Sequence, residues 1–123
     1  MSKMRSCLKK RDLLHNPQIG NDQLSQYGRE YLAEARLVDA LDFFEKAQDL
    51  EGIRRVREQS IKDGDPFLLQ KTAKLLKESI PEESWKRVGE KALMEGRFQQ
   101  ALTAFKAIGD EDQTAKIQEM MRS

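Results

Sequence analysis

The chain matches itself when displaced by 61 residues. Laid side by side without a gap, residues 24–59 and 85–120 agree at nine of 36 positions, where unrelated sequences would share about two. The shared residues are Gly28/Gly89, Leu32/Leu93, Glu34/Glu95, Arg36/Arg97, Ala40/Ala101, Leu41/Leu102, Phe44/Phe105, Asp49/Asp110 and Glu58/Glu119. Most are small or apolar, the kinds that packing rather than solvent dictates. Repetition of a packing pattern predicts the same supersecondary unit folded twice, with neighbours burying one another's apolar faces.

Inside each copy, apolar residues recur every three or four positions, the spacing of one helix face. Leu24, Tyr27, Gly28, Tyr31, Leu32 and Ala35 form one set, followed by Leu37, Ala40, Leu41, Phe44 and Ala47. In the second copy the sets are Trp85, Val88, Gly89, Ala92 and Leu93, then Phe98, Ala101, Leu102, Phe105 and Ile108. Between the copies, similar spacing predicts helices over residues 50–62 and 66–79, and a terminal helix over 111–121. Gly64-Asp65-Pro66 is a stop and restart, since Asp caps a helix and Pro is tolerated in its first turn. Ser79-Ile80-Pro81-Glu82 reads as a capping box, and Gly20-Asn21-Asp22 as a break with an N-cap. No alternating strand pattern exceeds three or four residues. The fold class is therefore all-α with short connections: about seven helices, with a possible further helix at the N-terminus.

The spacing within a copy is more specific. The second copy reads Trp85-x2-Val88-Gly89-x2-Ala92 and then Ala101-x3-Phe105; the first reads Leu24-x2-Tyr27-Gly28-x2-Tyr31 and then Ala40-x3-Phe44. Both copies resemble the tetratricopeptide repeat, W-x2-L-G-x2-Y followed by A-x3-F. The resemblance implies antiparallel helix hairpins stacked into a short right-handed α-solenoid, with repeats at 22–48 and 82–108 and a degenerate hairpin at 50–79. Gly28 with Ala40, and Gly89 with Ala101, would let the paired helices approach. Tyr27, Tyr31 and Phe44 in one copy, and Trp85 and Phe105 in the other, would fill the space between hairpins. The period of 61 rather than 34 departs from the family, as do Gly52 and Gln113 where a proline often ends the repeat. Residues 21–123 are expected to form one such domain.

The composition narrows the chemistry. One Cys and one His exclude a disulfide framework and an internal Cys/His zinc site. His15 stands alone beside Asn16-Pro17, and Cys7 beside Lys9 and Lys10 reads as a bystander thiol rather than an activated one. Glu82-Glu83 and Asp110-Glu111-Asp112 fall where helices begin, so capping and the helix dipole account for them better than acid–base work. The seven glycines are scattered, without a phosphate-cradling loop. The expectation is a non-enzyme with no cofactor and no metal. No run approaches 18 apolar residues, and no signal peptide opens the chain, so the expected compartment is the cytoplasm.

Binding by shape is what remains. The resemblance implies a concave groove that holds a peptide or helix of a partner protein, lined by Ser25 and Arg29 in the first copy and Lys86 and Glu90 in the second. Arg29 and Glu90 stand where the chaperone-binding subset of the family carries Asn, so its carboxylate clamp is not expected. An ordinary solvated helix face is the plainer account of these four residues. The terminal helix, with Ile117, Met120 and Met121, is expected to stay partly exposed and to favour homo-oligomers. Residues 1–20 stand apart: Lys3, Arg5, Lys9, Lys10 and Arg11 against Asp12, with Met4, Leu8, Leu13 and Leu14 as a short apolar stripe. That segment is either a flexible tail or a helix folded back as a cap. The overall charge of +1 makes nucleic acid and membrane unlikely partners. The alternatives to a protein-binding adaptor are a membrane- or nucleic-acid-associated factor using this basic segment, and a non-catalytic accessory subunit.

Overall fold

The computed structural model describes residues 7–123, with side chains from residue 9 onward. Lys3, Met4 and Arg5, three residues of the basic segment, lie outside the described residues. Eight helices follow one another: α1 (Cys7–His15), α2 (Asn21–Ala33), α3 (Leu37–Ala47), α4 (Leu50–Asp63), α5 (Pro66–Leu76), α6 (Glu82–Met94), α7 (Phe98–Ala107) and α8 (Glu111–Arg122). Among the described residues there is no strand, so the all-α class holds. The contacts divide the chain into two compact units, one ending at Val56 and one beginning at Arg57. The boundary falls inside α4.

In the first unit α2 packs on α3. In the second, α6 packs on α7, α7 on α8, and α5 on both α6 and α7. Within each unit neighbours in sequence are neighbours in space, the arrangement of solenoid-like helical proteins.

The 61-residue displacement carries over to the helices. α2 and α6 have 13 residues each and start at equivalent positions, as do α3 and α7, and α4 and α8. The turns match as well. Ala35 (φ 62°) and Gly96 (φ 75°) are both left-handed, and so are Gln48 (φ 57°) and Gly109 (φ 69°). In each hairpin the amide after the left-handed residue reaches back over the last helical turn. Arg36 N donates to Tyr31 O at 3.0 Å, and Arg97 N to Ala92 O at 2.8 Å. Asp49 and Asp110 play one role: their side chains accept from Gly52 N at 3.0 Å and Gln113 N at 3.1 Å, capping α4 and α8.

The small residues of the motif work through an aromatic ring. A Cβ added to Gly28 would lie 2.6 Å from Phe44 Cε1, and one added to Gly89 would lie 2.7 Å from Phe105 Cε2. Both rings are almost wholly buried. The sequence pairs these glycines with Ala40 and Ala101; it is the ring one turn further along that occupies the vacated space. Gly52 of α4 also abuts Phe44, so that ring touches two glycines. Phe43 joins the first core, stacked on Tyr31 with centroids 5.4 Å apart and tilted against Tyr27 at 5.7 Å. In the second unit Trp85 closes a cluster with Ile61, Leu69, Val88 and Ala104. Arg97 ties the α6–α7 turn to the end of α4, donating to Asp63 O at 2.6 Å and Gly64 O at 2.9 Å.

One cap differs from expectation. Asp65 accepts from Phe67 N and Leu68 N, with Pro66 in the first turn, as the sequence predicts. Within the Gly20-Asn21-Asp22 break, Gly20 is the N-cap of α2, with no side-chain bond. The capping box at Ser79 does not form, because Pro81 is the N-cap of α6 and Ser79 precedes it by two residues.

These positions give two tests by urea denaturation. Gly89→Leu and Gly28→Leu should each destabilise by at least ~1–3 kcal/mol, since an added side chain drives the buried ring out of place. Ala35→Gly should stabilise by ~0.5–1 kcal/mol. It relieves about 1–2 kcal/mol of left-handed strain and gives part of that back as unfolded-chain freedom, ~0.4–1 kcal/mol. Gly96→Ala should move stability the other way by a similar amount.

Candidate partner-binding surfaces

On α2, Ser25 and Arg29 are one helical turn apart and share a face. Ser25 is half-buried and Arg29 exposed. On α6, Lys86 and Glu90 have the same spacing and are both exposed. The guanidinium of Arg29 donates to Gln26 Oε1 at 2.7 Å. Arg29 also borders a shallow concavity of about 190 Å³ floored by Phe44 and Gly52, with Arg55 across it. Because Gly52 has no side chain, the floor stays open; the equivalent position in the second copy is Gln113. Arg55 is a lining residue that sequence reading missed. Its signal was the departure at Gly52, three residues earlier and so on the same side of α4.

The second unit has its own concavity of about 250 Å³. Ile61, Leu69, Ala73 and Ile80 form its apolar wall. At its margin Arg57 Nη1 meets Glu78 Oε1 at 2.6 Å. No motif announced it, because its residues come from the hairpin that lacks the repeat pattern.

Of the basic segment, the described residues Cys7–His15 form α1, which is joined to α3. Lys10 of α1 donates to Asp39 Oδ1 at 2.6 Å and to Asp42 Oδ2 at 2.7 Å, both on α3. Asp39 also meets Arg36 Nη2 at 2.8 Å. Partial burial works against the charge on Lys10, but the hydrogen bonds and charges of Asp39 and Asp42 outweigh it and raise its pKa. Burial works against the charge on Asp39 too, and Lys10 and Arg36 outweigh it, so that carboxyl titrates below its usual range. A cation held in this way is withdrawn from any docking of the segment on lipid or nucleic acid.

The C-terminal surface needs a correction. Ile117 is fully buried, because α8 packs on α7 and seats it against Ala92, Ala101, Leu102 and Phe105. It repeats Val56, which is equally buried. Only Met120 (47% exposed) and Met121 (39%) remain available of the three residues expected there. His15 is exposed at the end of α1. Among the described residues no group of three or more His, Cys, Asp or Glu side chains is placed to hold a metal ion. No described helix is long and apolar enough to cross a membrane.

No known protein family matches the chain, and no curated protein or solved structure matches it.

The α1 clamp has a pH signature. The lowered Asp39 contributes stability above its ordinary value of 3.8, lost as pH falls through the depressed one. The raised Lys10 contributes below its ordinary value of 10.5, lost as pH rises through the elevated one. Unfolding free energies of wild type and Lys10→Met should therefore differ across the neutral range, by roughly 0.5–1 kcal/mol. They should converge in acid below the usual carboxylate range and in alkali above the usual lysine range.

Proposed function

We propose that this chain is a non-catalytic protein-binding module of tetratricopeptide type, recognising a segment of a partner protein through the outward faces of its repeat helices. One observation carries the reading. The two hairpins keep the same register at the glycine, ring and capping positions, while the outward positions that correspond on α2 and α6 carry different chemistry. Gly28 and Gly89 match, Phe44 and Phe105 match, and Asp49 and Asp110 cap alike. Yet Arg29 corresponds to Glu90 and Ser25 to Lys86. A scaffold that holds its backbone constant and varies its outward side chains reads partners by charge and shape. Such a prearranged surface loses little conformational freedom on binding.

The test is capture of partners from cells that express the chain, followed by titration of the partner found. Arg29→Glu and Glu90→Lys should weaken that partner by about tenfold or more, ~1.4 kcal/mol. Both variants should melt within ~0.5 kcal/mol of wild type, since both positions are exposed. Lys74→Glu, exposed on α5, should leave binding intact. If every captured partner binds these variants as it binds wild type, the assignment of the faces fails.

A further inference from the structure

Helix α1 is attached in an unusual way. Leu13 and Leu14 are only half-buried, so little apolar area holds the helix down. Two short ion pairs join it to α3, from Lys10 to Asp39 and Asp42. Ion pairs of this kind, partly open to water, are weak and screened by salt.

The seat is larger than its occupant. Asp39, Asp42 and Glu45 recur every three residues and so lie along one side of α3. Beside α1, an open groove of about 550 Å³ remains between Leu14 and His15 on one wall and Asp42, Glu45 and Lys46 on the other. Glu45 is exposed. The acidic side of α3 thus continues past Asp39 and Asp42, the two carboxylates that Lys10 meets. Lys46 is the single positive group on that wall.

The connector permits movement. Asn16 to Ile19 form a small turn closed by Ile19 N to Asn16 O at 3.2 Å and Gln18 N to Asn16 Oδ1 at 2.8 Å. It is a self-contained hinge whose hydrogen bonds do not depend on α1 being docked. A covalently tethered helix benefits from a high effective concentration, so a weak seat stays filled until a stronger competitor arrives.

We propose that α1 is a built-in stand-in for a partner: it covers a seat on α3 that accepts a basic helical segment of another protein, and it must lift away for that segment to bind. The seat's preference follows from charge. The occupant presents an ammonium between two carboxylates, and a longer basic helix reaches Glu45 as well. This surface is separate from the exposed positions on α2 and α6, and the inference does not depend on them.

The test uses the full chain and, as probe, a fluorescently labelled synthetic peptide of residues 7–20. Lys10→Glu puts like charges at the clamp, so amide exchange over residues 7–15 should become fast. The probe should then bind the variant about tenfold or more tighter than wild type, because the fraction of molecules with an open seat rises. Adding Asp42→Lys to Lys10→Glu rebuilds an opposite-charge pair, so exchange should slow again and the gain in probe binding should disappear. Raised salt should open the seat in wild type. Circular dichroism establishes that each variant is folded. The proposal is overturned if folded Lys10→Glu keeps wild-type protection over residues 7–15, or if it binds the probe no better than wild type. It is equally overturned if wild type forms a dimer in which α1 of one copy lies on α3 of the other, since a second copy would then be the natural occupant.

Discussion

An aromatic ring lying on a glycine is the contact from which the rest of each unit follows. A helix carrying side chains all round keeps its neighbour some 8–10 Å away, axis to axis. Gly28 and Gly89 remove a side chain where Phe44 and Phe105 need room, so each ring sinks to the backbone of the facing helix. Large buried aromatics dominate core energetics, with truncation of such a residue costing about 3–5 kcal/mol. Once the ring is seated, the register of the hairpin is fixed and the other buried positions fall into line: Ala40 with Leu41, and Ala101 with Leu102. The same seating sets the third helix. In the first copy Gly52 also abuts Phe44, and in both copies an Asp caps the helix that begins there.

How much of this the sequence discloses depends on how local each feature is. The hairpins are legible because their determinants repeat at a fixed displacement and lie within one or two helical turns. The glycine-to-phenylalanine contact is only half legible: both residues repeat, but spacing alone does not say which small residue receives the ring. Phe43 escaped notice because its counterpart is Ala104, so no identity marks a position that is fully buried in both copies. Ile117 was misplaced for a similar reason. The sequence shows one apolar stripe on the last helix, and which part of it α7 covers is settled by packing. The capping box at Ser79 shows the limit of a motif read without geometry, since Pro81 itself supplies the cap.

The surfaces are less legible still, and the reason is physical. Lys10 and its carboxylates are 29 and 32 residues apart in sequence, and no periodicity links an ion pair across that distance. The apolar wall of the concavity in the second unit, Ile61, Leu69, Ala73 and Ile80, lies between the two repeated segments and follows no repeat. Arg29 was reachable because the repeat pattern points to it. Arg55 was not, because its place in the concavity depends on the missing side chain of Gly52.

The division between repeated and unrepeated positions has a further meaning. Many of the repeated residues act on the backbone or the core: glycine for approach, aromatic for filling, aspartate for capping, arginine for the turn. Arg36 and Arg97 illustrate how far that goes. They hold the same backbone position, yet Arg36 pairs with Asp39 and lies over the Tyr31 ring at 4.9 Å, while Arg97 binds the carbonyls of Asp63 and Gly64. The backbone role is shared, and the side chain is free to serve whatever neighbour its own unit provides. The same freedom extends to the outward residues, where nothing in the core constrains charge. A fold whose stability is concentrated in a few repeated contacts can therefore change Arg29 into Glu90 without disturbing the helices beneath. That separation of structural from surface positions is the property on which the proposed recognition by side chains would draw.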